Sequence, residues 1–366
     1  MSEKKVEYLE LVYDLIFVYI IGRNNSLLLH VDGGFVNGSV YLAYILSSLA
    51  VIQIWNFSTY YTNIFGRNRV RDHVFMFVNM YLLYYIGEGT RLHWERFQNQ
   101  YHVAWALILI NIGIQFLLER REQKSPEELR TINGMCKVLF GEAALILAAI
   151  PIFNATGVQL AGVAVLCGIA GTWFIAGKVR QTNVDFMHLS ERAMLFVVFT
   201  FGEMIIALAS YFEGELDFSS IYFSAMCFLI VVGLFLCYEM LYDHIVDREK
   251  ETTGLGYMMI HIFLVFGMNN LTTALEFMQD EKIRLMPKTL MLIGSFLLVF
   301  GCMFALMAFA KEERRCCRRS LAPVLVLTIL FVISMLLMRE RMYVNILITV
   351  VYVFFVFFTI RKTAKS

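Results

Sequence analysis

The sequence predicts an all-α integral membrane protein of about twelve transmembrane helices in two parallel six-helix repeats. Three observations predict it. Of 366 residues, 59% are hydrophobic and only 17% charged, where a soluble domain carries roughly 25% charged residues. Apolar runs of ~17 to 23 residues recur along the whole chain, each long enough to cross a ~30 Å hydrocarbon core as a helix. Polar residues in the two halves fall into register with each other. Twelve helices of ~20 residues leave loops of roughly ten residues each, too little for a folded soluble domain. An ATP-hydrolysing domain, a nucleic-acid module and a secreted disulfide scaffold are thereby excluded.

In chain order, the spans of the first half (1–183) are placed at 9–30, 39–61, 73–90, 101–118, 135–153 and 157–177. Those of the second half (184–366) are placed at 190–212, 218–241, 255–277, 288–310, 321–338 and 342–360. With the N-terminus on one side, its tail, the even-numbered loops and the C-terminus collect 23 of the 31 Lys and Arg residues. The excess of positive charge puts both termini in the cytoplasm. The 4-5 loop with Arg120, Arg121, Lys124, Arg130 and Lys137, and the 10-11 loop with Lys311, Arg314, Arg315, Arg318 and Arg319, contribute most. The first apolar run is interrupted by Glu10 and Asp14 and lacks a small-x-small cleavage site, so span 1 is expected to be retained rather than removed as a signal peptide.

Four cysteines (Cys167, Cys227, Cys237, Cys302) fall inside spans and Cys136 at a helix start. Cys316 and Cys317 fall in a cytoplasmic loop among arginines, which reads as sidedness charge, anionic-lipid contact or an acylation site. No external cysteine means no disulfide framework, and no Cys-x-x-Cys is present. Membrane lipids and a small molecule or ion are the expected partners; no nucleic acid, cofactor or metal is implied.

The halves align best from His73 to Glu88 against His261 to Glu276, with Gly66 matching Gly254. Glu10 falls on Glu191, Tyr61 on Tyr242, and Glu119 on Glu312, at offsets that drift as small loop insertions would produce. Six helices per half keep both halves in the same orientation, with the pseudo-twofold axis along the membrane normal.

A charge inside a span costs roughly 2.5 to 3.5 kcal/mol, so each needs a partner, water or a purpose. Glu7, Glu10 and Asp14 fall within about 60° of one another on helix 1, an acidic stripe that descends about two turns. Glu7 and Glu10 also suit a wet helix start, where carboxylates complement the dipole; Asp14 lies about 6 Å deeper than Glu10 and does not. Arg192 and Glu203 on helix 7 share a face but stand ~16 Å apart, too far to pair. Arg192 therefore needs another anion, and the helix 1 stripe is the candidate. Glu203 near mid-bilayer faces a cavity or proton path, or hydrogen-bonds a neighbour as a neutral acid. His188 and Glu191 have a spacing that suits two metal ligands, yet a surface His beside an ordinary helix-start Glu explains them equally and is preferred. Glu142 repeats the Gly-Glu pair of helix 7 and reads as a secondary polar residue of the same cavity. Asn269, Asn270, Thr272 and Thr273 in helix 9 suit interhelical hydrogen bonding or substrate contact. His73 and His261 read as structural helix ends, and Arg67, Arg69 and Arg71 alternate in a loop, unlike a voltage-sensor ladder.

Leu9-Glu10-Leu11-Val12-Tyr13-Asp14-Leu15-Ile16-Phe17-Val18 resembles the opening signature of the bacterial low temperature requirement protein A family. His188-x-x-Glu191-Arg192-x-x-Leu195-Phe196 with Gly202-Glu203 is similar to a second block of that family. The resemblance implies a multi-pass protein of the bacterial plasma (inner) membrane and brings no substrate or reaction with it. The chain departs from the family pattern in helix 2, where the run from Trp55 to Asn63 replaces Trp-rich and Asp-rich stretches. A slighter likeness, to two-repeat endosomal potassium channels with an Arg-x-x-x-Phe-Ser-Asp opening, retains only Asp14; position 8 is Tyr.

No phosphate-binding Gly loop, Ser/His/Asp constellation or His-Glu-x-x-His run is present. A secondary transporter or permease with proton or cation coupling is the leading expectation, on Glu10, Asp14, His188, Glu191, Arg192, Glu203 and Glu142. An ion channel, a lipid-modifying enzyme and a structural or sensory protein are the alternatives. The topology predicts that a single cysteine placed at 154–156 reacts with an impermeant thiol reagent on intact cells; labelling only after permeabilisation contradicts it.

Overall fold

A computed structural model describes residues 4–29, 31–92, 94–122, 124–158, 160–176, 184–212, 217–278, 280, 282–312 and 321–365. Among these residues the architecture is helical. The helices are α1 (Tyr8–Asn25), α2 (Gly38–Phe65), α3 (Val70–Leu92), α4 (Trp94–Glu119), α5 (Pro126–Thr156) and α6 (Ala161–Ala176). They continue with α7 (Phe186–Ala207), α8 (Phe218–Met240), α9 (Leu255–Glu276), α10 (Leu285–Leu306), α11 (Leu321–Leu337) and α12 (Met342–Lys365). Eight of them (α2, α4, α5, α7, α8, α9, α10 and α12) are long and apolar enough to cross a membrane, counting the short 3-10 or π turns that prolong three of them. α6 and α11 are apolar but shorter. α1 carries Glu10, Asp14 and Arg23, and α3 carries Arg71, Asp72, Glu88 and Arg91, which keeps both below the hydropathy of the rest. The Arg314 to Arg319 cluster, with Cys316 and Cys317, lies outside the described residues.

Two helix boundaries differ from the sequence expectation for identifiable reasons. α5 begins nine residues earlier than the apolar run, because Ser125 and Glu128 form a reciprocal capping box around Pro126. The Ser125 hydroxyl accepts from the Glu128 amide at 3.2 Å, and the Ser125 amide donates to the Glu128 carboxylate at 2.7 Å. Polar first-turn residues hid this helix start from a hydropathy reading. At the other end the expected 5-6 loop, 154–156, is the exposed last turn of α5, closed by Gly157 at φ 71°. Residues 31–36, expected as loop, form a small antiparallel hairpin in which β1 (Val31–Asp32) pairs with β2 (Phe35–Val36). Gly33 and Gly34 occupy its two-residue turn at φ 62° and 92°, conformations open to glycine without strain.

The chain divides into two compact units. One comprises Met1–Leu29, Gly38–Phe196 and Glu249–Ile262; the other comprises His30–Asn37, Val197–Arg248 and Phe263–Ser366. In the first unit α3, α4 and α5 pack in succession, α1 lies against α2 and α3, and α6 packs on α5 and α2. Every residue of α2 from Ser47 to Asn63 is buried, on all faces of the helix. α1 is sided in the sense a membrane requires: Glu10, Asp14, Phe17 and Ile21 are buried, while Val12 and Leu15 are about half exposed at 50% and 49%. Carboxylates inside and aliphatics outside reverse the order of a soluble helix.

In the second unit α8 packs along α12, and α11 against α10 and α12. Asn270 of α9 donates to Ser295 of α10 at 2.6 Å, a hydrogen bond between helices of the kind expected there. His73 and His261 stand in unlike surroundings, the first half-buried beside Asn68 and the second fully buried and tilted over Tyr257 at 4.3 Å.

A charged clasp joins the α2–α3 and α4–α5 loops of the first unit. The fully buried Glu119 carboxylate receives Arg69 at 2.8 Å, Lys124 at 3.4 Å, and Arg71. Glu122 receives Arg69 at 2.6 Å and Arg67 at 3.0 Å. The hydrogen bond from Arg69 holds the Glu122 carboxyl below its ordinary range. A depressed carboxylate contributes stability above its unfolded pKa and loses it as pH falls through the folded value. Melting temperatures of the wild type and Glu122→Gln should therefore differ at neutral pH and converge below about pH 4; parallel curves across that range contradict the clasp.

Candidate functional site

The site lies within the first unit and is built by α1, α2 and the start of α7. Gly254, at φ 67°, lets the approach to α9 pass close to α7: a Cβ there would collide with Leu189. Phe186 meets Tyr257 edge to face at 5.2 Å. These contacts seat the first turn of α7, where the Asp185 carboxylate accepts the His188 amide at 3.0 Å.

One turn further on, Arg192 is 0% exposed. Its guanidinium stays charged at every biological pH, so burial obliges it to find anions. It meets Asp14 side-on, Nη2 to Oδ1 at 2.5 Å and Nε to Oδ2 at 3.4 Å. Nη1 donates to Thr62 Oγ1 at 2.7 Å and stands 3.8 Å from Glu10 Oε1. Asp14, also 0% exposed, accepts a further hydrogen bond from Trp55 Nε1 at 2.8 Å. The indole stacks on Phe196 at 4.2 Å, which fixes the direction of that donor.

Glu10 has two engagements. One oxygen accepts from the Glu7 amide at 3.2 Å, the helix-start role, and the same Oε2 faces His188 Nε2 at 3.1 Å. Asn63 settles which imidazole nitrogen carries the proton. Its amide nitrogen donates to the Asp185 carbonyl at 2.8 Å and lies 3.0 Å from His188 Nδ1. Nδ1 is thereby the acceptor, and Nε2–H points at Glu10. The constellation holds two carboxylates, one permanent cation and one imidazole, all buried.

Of the seven residues singled out in the sequence, the structure brings four together: Glu10, Asp14, His188 and Arg192. The other three stand elsewhere. Glu191 is half-buried on α7 beside Arg192, while the imidazole of His188 is turned to Glu10. Glu142, buried in α5, accepts from Gln53 Nε2 at 3.3 Å, and a Cβ on Gly168 would collide with both side chains. Glu203 is half-buried on the part of α7 that belongs to the second unit. Among the described residues no group of three or more His, Cys, Asp or Glu side chains is placed to hold a metal ion.

Trp55, Thr62 and Asn63 form the third wall of the site, in the stretch of helix 2 where the sequence departs from the family pattern. Their spacing carries the signal that was available: Trp55 and Thr62 are seven residues apart and share a helix face within about 20°.

Arg192→Met should cost on the order of 3 to 5 kcal/mol, because it leaves two buried carboxylates without their cation. Asp14→Asn in the same chain should recover a substantial part of that loss. Denaturation of the purified protein in detergent checks this; strictly additive losses overturn the pairing.

No curated protein and no solved structure matches the chain. The family profile described as bacterial low temperature requirement A protein (LtrA) matches residues 5–358. The match takes in the acidic stripe of α1 and the His188–Arg192 block of α7, and it covers nearly the full 366 residues. This membrane protein belongs to the bacterial low temperature requirement A family.

Proposed function

We propose that the chain is a secondary transporter or permease of the bacterial inner membrane, coupled to protons or another cation, with both termini cytoplasmic and twelve spans in two six-helix halves. One observation carries the reading: a fully buried guanidinium shared by two carboxylates of which only one is tightly paired. A purely structural ion pair needs one anion per cation. Here Arg192 has Asp14 at 2.5 Å and Glu10 in reserve at 3.8 Å.

The surplus carboxylate gives the arginine two seats. While Asp14 is ionised it holds the guanidinium side-on, and a proton on Asp14 transfers the attraction to Glu10. His188 faces Glu10 through its Nε2–H, and that hydrogen bond steadies the ionised form of the reserve carboxylate. Proton occupancy thus decides where a fixed positive charge rests, and the helices that carry it, α1, α2 and α7, follow. Glu142 and Glu203 serve as further protonatable groups, and Glu191 lies at the entrance of α7.

Proteoliposomes loaded with a pH-sensitive dye and challenged with Na+, K+ and a panel of small organic ions test the reading. Saturable proton movement that depends on one of them supports it. Asp14→Asn, judged beside a folded control, should abolish coupled movement, and Glu203→Gln should alter its pH dependence. Proton movement no greater than in empty liposomes for every ion tried overturns it, and current without coupling assigns a channel instead.

A further inference from the structure

The carbonyls that close α2 lie at the negative end of a helix dipole and keep acceptor capacity beyond the helix's own hydrogen bonds, and Lys4 takes it up. Lys4 Nζ donates to Gly66 O at 2.8 Å, lies 3.4 Å from Asn63 O, and also reaches Thr62 O. The Lys4 amide donates to Asp185 Oδ2 at 3.2 Å, which anchors the segment beside the start of α7. We propose that the carbonyl oxygens of Thr62, Asn63 and Gly66 form a seat for a small monovalent cation, which Lys4 occupies as a tethered competitor.

The seat is built by sequence. Gly66 donates its amide to Thr62 O at 3.1 Å and ends the helix with its own carbonyl turned into the group. A Cβ at position 66 would stand 2.5 Å from Thr62 O, so only glycine closes the turn this tightly. The donor set is three neutral carbonyls, the ligands that replace the hydration shell of potassium in selectivity filters. Divalent ions prefer carboxylates, and the Asp185 carboxylate is spent on the Lys4 and His188 amides.

Seat and buried constellation share residues. Thr62 lends its carbonyl to the seat and its hydroxyl to Arg192; Asn63 lends its carbonyl to the seat and its amide group to His188. A change of occupant at the seat therefore acts on the two side chains that orient Arg192 and His188. The inference deepens the cation-coupled reading by naming a cation seat, and rests on it only for the link to transport; occupancy is read by binding alone.

The experiment is thermal unfolding of the purified full chain in detergent, in K+, Na+ or NH4+ against N-methylglucamine at equal ionic strength. The wild type should be indifferent to the cation, because Lys4 holds the seat. Lys4→Met should gain a saturable rise in Tm with at least one small cation, and Gly66→Ala added to it should cancel the gain. A Lys4→Met protein as indifferent as the wild type overturns the proposal, as does an equal response in both. Lys4→Gln, which keeps a donor to the carbonyls without the charge, replaces Lys4→Met if the latter does not melt cooperatively. If neither variant folds in N-methylglucamine, recovery in a small cation supports the seat and failure in all three overturns it. A cation-dependent Tm without flux in proteoliposomes would sink the transporter and leave the seat standing; flux without that dependence would do the reverse.

Discussion

A guanidinium that cannot lose its proton, placed where water does not reach, dictates the arrangement around it. Arg192 is fully buried, and an uncompensated ion there costs several kcal/mol. The compensation is drawn from two other helices: carboxylates from α1, a hydroxyl from α2, and through Asp14 the indole of Trp55. Each partner is itself held, Glu10 by the first turn of its own helix and Trp55 by the ring of Phe196. The burial of α2 on every face from Ser47 to Asn63 follows from the same demand, since a helix that supplies polar groups to its neighbours cannot be turned toward lipid.

The end of α2 is tied down by a second set of charges. Glu119 sits among Arg69, Arg71 and Lys124, and Lys124 also lies over the Phe65 ring at 4.8 Å. The loops that follow α2 and α4 are in this way fixed to each other beside the last turn of α2. That last turn carries Thr62 and Asn63, so the loop charges and the buried constellation bear on the same stretch of backbone. Charge that the sequence offers as a mark of sidedness serves tertiary structure here.

Much of the fold was legible in the sequence because hydropathy reports helices directly: α8, α9 and α11 begin where the apolar runs begin. Residues whose order comes from hydrogen bonding rather than apolarity escaped it, such as the polar first turns of α5 behind Ser125 and the hairpin around Gly33 and Gly34. In the site, the charges of Glu10, Asp14 and Arg192 were conspicuous because a membrane span makes each one costly. The ring orientation of His188 is not legible there, since nothing in its neighbours along the chain foretells Asn63 and Asp185 holding it. Trp55, Thr62 and Asn63 were passed over because uncharged polar residues carry little cost in a hydropathy reading. Glu142 looked like a second member of the same cavity by its Gly-Glu pair, and its partner is Gln53 instead.

The separation along the chain between the arginine and its carboxylates has a consequence for synthesis. Asp14 and Arg192 lie 178 residues apart, so α1 through α6 leave the ribosome before the compensating cation exists. Until α7 arrives, Asp14 and Thr62 lack the guanidinium that they hold in the finished fold. The charge balance at the centre of the first unit is therefore completed only once the seventh helix has been made, late in the synthesis of that unit.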